Sequence, residues 1–140
     1  MSNVKDYISV TKLSSDRDYD TLNAGGSFVI PDAQHPTAVI QPQENAKIIS
    51  LIHFAKGQWR GNHYHNSKTE YLTVLKGKLL CQFSLKDDQQ KVVEYTLEAG
   101  EQVQIKPSCI HKYKALNDDA YALEYATEPF KFEDNVYIES

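Results

Sequence analysis

Residues 57–65 read Gly57-Gln58-Trp59-Arg60-Gly61-Asn62-His63-Tyr64-His65, with Glu70 following and Gly77 closing the stretch. Histidines at i and i+2 of a β-strand lie on the same side of its sheet, because successive side chains alternate between faces. Glu70 opens the next apolar run, and a short turn can fold it back beside them. Further on, Pro107-Ser108-Cys109-Ile110-His111 delivers another histidine to the start of a later strand. Imidazole nitrogens with one carboxylate suit zinc, iron, manganese, nickel or copper, and three or four protein ligands leave a coordination position open. An open position is what a catalytic metal needs, since water or substrate can then bind and be polarised.

Outward from this stretch, short β-branched and aromatic runs recur, each ended by a turn signal. Phe28-Val29-Ile30 ends at Pro31-Asp32, Lys47 to Phe54 at Lys56-Gly57, and Thr69 to Leu75 at Lys76-Gly77. Lys78 to Leu85 ends at Asp87-Asp88, Val92 to Leu97 at Ala99-Gly100, and Val103 to Lys106 at Pro107. His111 to Leu116 ends at Asn117-Asp118-Asp119, and Tyr121 to Thr127 runs on to Pro129. Several runs alternate with period two: Glu70, Leu72 and Val74 share one face, as do Leu79, Cys81, Phe83 and Leu85, and Tyr121, Leu123 and Tyr125. No window shows a helical stripe. Regularly spaced short strands predict an all-β sandwich or barrel, with an eight-stranded jelly roll the usual form.

The 140 residues suit one domain, with residues 1–25 as a leading strand or N-terminal arm and 26–140 as the barrel. Nine Tyr and five Phe against a single Met fit an aromatic, β-rich core, and 41% hydrophobic content excludes a disordered chain. A formal net charge of −4 argues against nucleic acid as the main partner, since phosphate neutralisation needs a basic face. Two cysteines, Cys81 and Cys109, are too few for a disulfide scaffold. No signal peptide or membrane-spanning stretch is legible, so a cytoplasmic protein with reduced thiols is expected.

The series Gly57-x5-His63-x-His65-x4-Glu70-x6-Gly77 resembles the first cupin motif at every spacing and fixed residue. Gly100, Pro107 and His111 follow the order of the second motif more loosely. Six residues rather than five separate Gly100 from Pro107, one fewer precedes the histidine, Cys109 stands where glycine is common, and Asn117 comes late. The resemblance covers roughly residues 46–127 and implies a double-stranded β-helix, a jelly-roll barrel of the RmlC-like kind. It also implies one divalent transition metal held inside by His63, His65, Glu70 and His111, zinc first, with iron, manganese or nickel as alternatives.

The words around the motif narrow this. Arg60-Gly61-Asn62-His63-Tyr64-His65 with Lys68-Thr69-Glu70 is similar to the cupin domain ending the bifunctional capsular-polysaccharide enzymes that act on UDP-sugars. The tail Thr127-Glu128-Pro129-Phe130, then Asp134 and Tyr137, resembles that domain's ending. The same string is similar to dTDP-sugar 3,4-ketoisomerases and, more distantly, 3,5-epimerases. The resemblance implies proton transfer next to the ketone of a nucleotide-linked sugar, with a base removing the α-proton and an acid returning one. In that scheme His63 or His65 is the candidate base, Tyr113 the candidate acid, and Arg60 a candidate contact for the diphosphate. Cupins of this size commonly pair through an edge strand or an exchanged arm, which implies a homodimer. Two other readings stand beside the epimerase or isomerase: an iron-dependent dioxygenase, and a non-catalytic binder of a small carbohydrate.

Bland readings suit the remaining candidates. Tyr71 lies opposite Glu70 and reads as core or interface, His35 as surface, His53 as a satisfied core histidine, Cys81 as core and Cys109 as a small turn filler.

Overall fold

The turn signals divide the chain into strands much as expected. The computed structural model describes residues 3–12, 14–15, 28–29, 47–126, 128 and 131–138. His35, the Pro31-Asp32 turn, and Thr127, Pro129 and Phe130 of the tail lie outside these residues. The strands are β1 (Ile8–Lys12), β2 (Ser14–Ser15), β3 (Phe28–Val29), β4 (Ile48–Phe54), β5 (Trp59–His65) and β6 (Glu70–Lys76). They continue with β7 (Lys78–Leu85), β8 (Asp88–Glu98), β9 (Glu101–Ile105), β10 (Cys109–Ala115), β11 (Ala120–Ala126) and β12 (Asn135–Tyr137). One five-stranded sheet has the order β1-β9-β6-β11-β4 and the other β12-β5-β10-β7-β8, while β2 and β3 pair separately. All named pairs are antiparallel. Chain neighbours repeatedly fall in opposite sheets, which makes a jelly-roll sandwich with its inner faces packed on each other.

The core follows the alternation read from the sequence. Leu72 and Val74 of β6 and Leu79, Cys81, Phe83 and Leu85 of β7 are buried, joined by Leu97, Val103 and Ile105. Tyr113 packs edge-on to Phe54 and Phe83, with ring centroids 6.0 and 6.4 Å apart. Such pairs are worth about 0.5–1.5 kcal/mol beyond the apolar area they bury. The leading strand β1 joins its own chain's sheet, pairing with β9 from Ile8↔Ile105 to Lys12↔Glu101. Among the described residues no helix is long and apolar enough to cross a membrane.

His53 departs from expectation. Strand β4 is the outermost strand of its sheet, and its odd-numbered residues face outward, so His53 is exposed rather than part of the core. Its ring lies 4.8 Å from that of Tyr121, its cross-strand partner.

Candidate metal centre

Strands β5 and β10 run side by side with His63 opposite His111, and His65 lies two residues further along the same face of β5. The ligand atoms of His63, His65 and His111 lie within 4.8 Å of one another. Glu70 arrives from the opposite sheet. The turn between β5 and β6 is pinned by Asp134, which accepts from the Ser67 backbone N–H at 2.9 Å and the Ser67 hydroxyl at 2.8 Å. The Ser108 N–H donates to the His65 carbonyl at 2.8 Å, tying the proline turn to the end of β5. Glu70 Oε2 then stands 3.1 Å from both His65 Nε2 and His111 Nε2.

Hydrogen-bond accounting shows what this arrangement needs. His111 Nδ1 lies 3.0 Å from the Cys109 carbonyl, an acceptor without a proton, so Nδ1 carries the hydrogen. On a neutral His111, Nε2 therefore presents a lone pair to the Glu70 carboxylate. Two acceptors that close require a proton or a cation between them. His63 Nδ1 and His65 Nδ1 are buried without a hydrogen-bond partner. Burial first, then the neighbouring His111 and His65, push the His63 imidazole down to about 3, so it stays neutral. Desolvation pushes the Glu70 carboxyl up, and the contacts with His111 and His65 outweigh it, holding the group well below the usual carboxylate range. Imidazoles converging with one carboxylate are the donor set for a divalent transition metal, and the Nδ1–H bond of His111 is the usual outer-sphere support of a metal-bound histidine. The residues present fit the metal.

The backbone explains how Arg60 joins them. Past His63↔His111 the register jumps, so that Gly61 pairs Lys112 and Arg60 pairs Tyr113. Gly61 at φ +96 and Asn62 at φ 66 form the bulge. One extra residue reverses the facing of everything before it. Arg60 thus lines the same cavity as His63, whereas in a straight strand the two would point to opposite faces. Trp59 turns outward instead, where Lys112 and Lys114 lie 4.6 and 4.7 Å from its ring centre.

The cavity encloses about 580 Å³, and Arg60, His63, Glu70, His111 and Tyr113 line it. The Tyr113 hydroxyl is buried without a partner, and desolvation, then Glu70, raises it well above the usual phenol range. Tyr71 faces away, stacked on Tyr125 with centroids 4.7 Å apart and accepting from Gln104 at 2.9 Å. Cys109 is buried at the start of β10 and is not among the clustered ligands.

Glu124 was not anticipated. It lines the cavity and hydrogen-bonds Glu70, and desolvation, then Glu70, pushes its carboxyl up to about 8. One signal was available: within Ala120-Tyr121-Ala122-Leu123-Glu124-Tyr125-Ala126 the glutamate alternates with the aromatic row and shares its face with alanines.

Residues 37–135 match the family model described as the polysaccharide biosynthesis C-terminal domain. The chain belongs to that family. No curated protein matches its sequence. Among solved structures it is similar to a variant of the sugar 3,4-ketoisomerase QdtA from Thermoanaerobacterium thermosaccharolyticum, bound to TDP-4-keto-6-deoxyglucose. That match has a TM-score of 0.72 at 16% identity over 94% of this chain and 88% of QdtA. ChmJ, a 3'-monoepimerase from Streptomyces bikiniensis in complex with dTDP-quinovose, matches with a TM-score of 0.73 at 11% identity, covering 94% and 69%. The capsular polysaccharide assembling protein CapF of Staphylococcus aureus matches with a TM-score of 0.63 at 21% identity, over 93% of this chain and 33% of CapF. At these identities the likeness establishes a cupin-type jelly roll, and the reaction has to be argued from the site.

Proposed function

We propose that this polysaccharide-biosynthesis domain is a metal-dependent epimerase or isomerase acting next to the keto group of a nucleotide-linked sugar. The observation that carries the reading is the convergence of His63, His65, His111 and Glu70 on the wall of a cavity of about 580 Å³ that Arg60 and Tyr113 also line. Glu70, His111 and one imidazole of the His63–His65 pair would hold the metal, which when bound would supply Lewis acidity. Arg60 meets the diphosphate, through the fixed fork of donors that suits paired phosphate oxygens. The other imidazole of the His63–His65 pair takes the proton from the carbon beside the ketone and releases it to solvent. The Tyr113 hydroxyl returns a proton on the other face or the neighbouring carbon and is itself restored from solvent. Atoms and charge balance without an oxidant or reductant.

Incubation of the metal-loaded protein with UDP- and dTDP-4-keto sugars in D2O tests this. Deuterium should enter a carbon flanking the ketone, and Tyr113→Phe should slow its entry while leaving metal content unchanged. No incorporation across the panel refutes the reading. Oxygen uptake by iron-loaded protein would mark a dioxygenase instead, and binding without turnover a carbohydrate-binding protein.

A further inference from the structure

Strand β11 turns the row Ala120, Ala122, Glu124 and Ala126 toward the barrel interior, in register with inward Phe54, Ile52, Ser50 and Ile48 of β4. Ala120 and Ala122 pack in the core and Ala126 is buried, so Glu124 is the residue of the row that lines the cavity. Beside it, Ser50 also lines the cavity. Antiparallel partners place their Cβ atoms about 5 Å apart, so the carboxyl and hydroxyl form one polar strip. A second cross-strand pair, Arg60 with Tyr113, lines the same cavity from the other sheet.

Structure alone does not account for Glu124. Glu70 already has the Lys68 ammonium at 3.7 Å and His65 and His111 at 3.1 Å, so it does not lack partners without another carboxyl. A further carboxyl beside it adds like-charge repulsion and desolvation, which an alanine like its row-mates would avoid. A carboxyl next to a hydroxyl, among the apolar Ile48, Ile52 and Phe54 that line the same cavity, is suited to ring hydroxyls, each of which donates and accepts. With the diphosphate at Arg60 and the reacting carbons toward the histidines, the remaining hydroxyls of a pyranose ring face this wall.

We propose that Glu124 and Ser50 form the sugar-recognising wall of the cavity, hydrogen-bonding hydroxyls of the ring and deciding which sugar is accepted. This inference rests on the sugar-nucleotide reading above. The test compares calorimetric binding of UDP-N-acetylglucosamine and dTDP-glucose with that of UDP and dTDP, using metal-loaded full chain, Glu124→Ala, Glu124→Gln and Ser50→Ala. Losing a hydrogen bond to a charged or buried partner weakens affinity roughly tenfold or more. The expected result is that Glu124→Ala weakens the sugar nucleotides by about that factor and Ser50→Ala by less. Glu124→Gln should recover part of the loss, and the bare diphosphates should change by under about twofold. Unchanged metal content and melting midpoint in Glu124→Gln separate recognition from folding. Equal loss for sugar nucleotide and diphosphate, or no loss for either, overturns the assignment while the sugar-nucleotide reading stands. If the unmutated protein binds none of the four compounds, the sugar-nucleotide reading fails and takes this assignment with it.

Discussion

The bulge at Gly61 gives the sharpest test of how this backbone builds its site. A Cβ placed on Gly61 would lie 2.8 Å from the carbonyl oxygen of His111 and 3.3 Å from Lys112 Cα. Both are backbone atoms of the neighbouring strand and cannot swing aside. The residue also sits at φ +96, where a side chain is strained by about 1–2 kcal/mol before any contact is counted. Moving β10 to relieve the overlap adds about 1–3 kcal/mol, the usual range for forcing atoms into a packed site. Gly61→Ala should therefore cost about 2–5 kcal/mol. At about 4 °C per kcal/mol for a domain of this size, the melting midpoint falls by about 8–20 °C. Gly57 is the internal control. It has φ +77, but a methyl group there would meet nothing within 4 Å, so Gly57→Ala carries only the backbone strain and loses about 4–8 °C. Because the contact is with the carbonyl of His111 itself, Gly61→Ala should also weaken metal binding by about tenfold, as disturbing the support of a ligand usually does. Differential scanning fluorimetry and a zinc titration read both effects. If the two variants melt within about 2 °C of each other and bind zinc equally, the steric account of the bulge is wrong.

Metal analysis of untagged protein should find one divalent transition ion per chain, with chelation lowering the melting midpoint and re-addition restoring it. His111→Ala and Glu70→Gln should lose the ion, and retention by both would refute the metal centre. The Cys81 and Cys109 thiols, pushed up to about 12 by burial from an ordinary value of 9.0, should resist iodoacetamide at pH 8 in the folded protein and react once urea unfolds it. For the same reason, stability should fall as pH rises above about 9, where the unfolded chain gives up thiol protons that the folded chain keeps. A fall between pH 8 and 11 as steep in the Cys81→Ala, Cys109→Ala double variant as in the unmutated chain would contradict this. Exposed Ile49 and Leu51 on the outermost strand β4, with Leu75 on the same sheet, favour self-association, and light scattering should give twice the 15.9 kDa chain mass. A monomeric mass rejects the dimer.

The convergence of His63, His65, Glu70 and His111 was legible because its determinants are local. Two histidines two residues apart must share a strand face, the turn to Glu70 is short enough to limit where the carboxyl can go, and Pro107 fixes where His111 begins its strand. Arg60 was legible as a residue near the motif, but its facing was not. A strict period of two puts residues 60 and 63 on opposite faces, and only the bulge at Gly61-Asn62 brings them together. The sign of that inversion depends on β10 as partner, which is fifty residues distant in sequence. His53 failed for a related reason. An apolar strand reads as buried on both faces, and nothing within Ile48 to Phe54 says that β4 is outermost in its sheet.

Strand β11 shows the deeper difficulty. Its alternation is plain, and the hydrophobic rule would turn Tyr121, Leu123 and Tyr125 into the core and leave the alanines and Glu124 outside. The molecule does the reverse: Ala120 and Ala122 pack in the core and Glu124 lines the cavity. The aromatic row serves the outer face instead, where Tyr125 stacks on Tyr71 with an interplanar angle of 9° and is itself buried. On β10 the corresponding inward residues are His111, Tyr113 and Ala115, which pair the packed Phe83, Cys81 and Leu79 of β7. The barrel is thus filled toward β7 and open toward β4, and that asymmetry places Glu124 and Ser50 on the open side, next to the metal ligands.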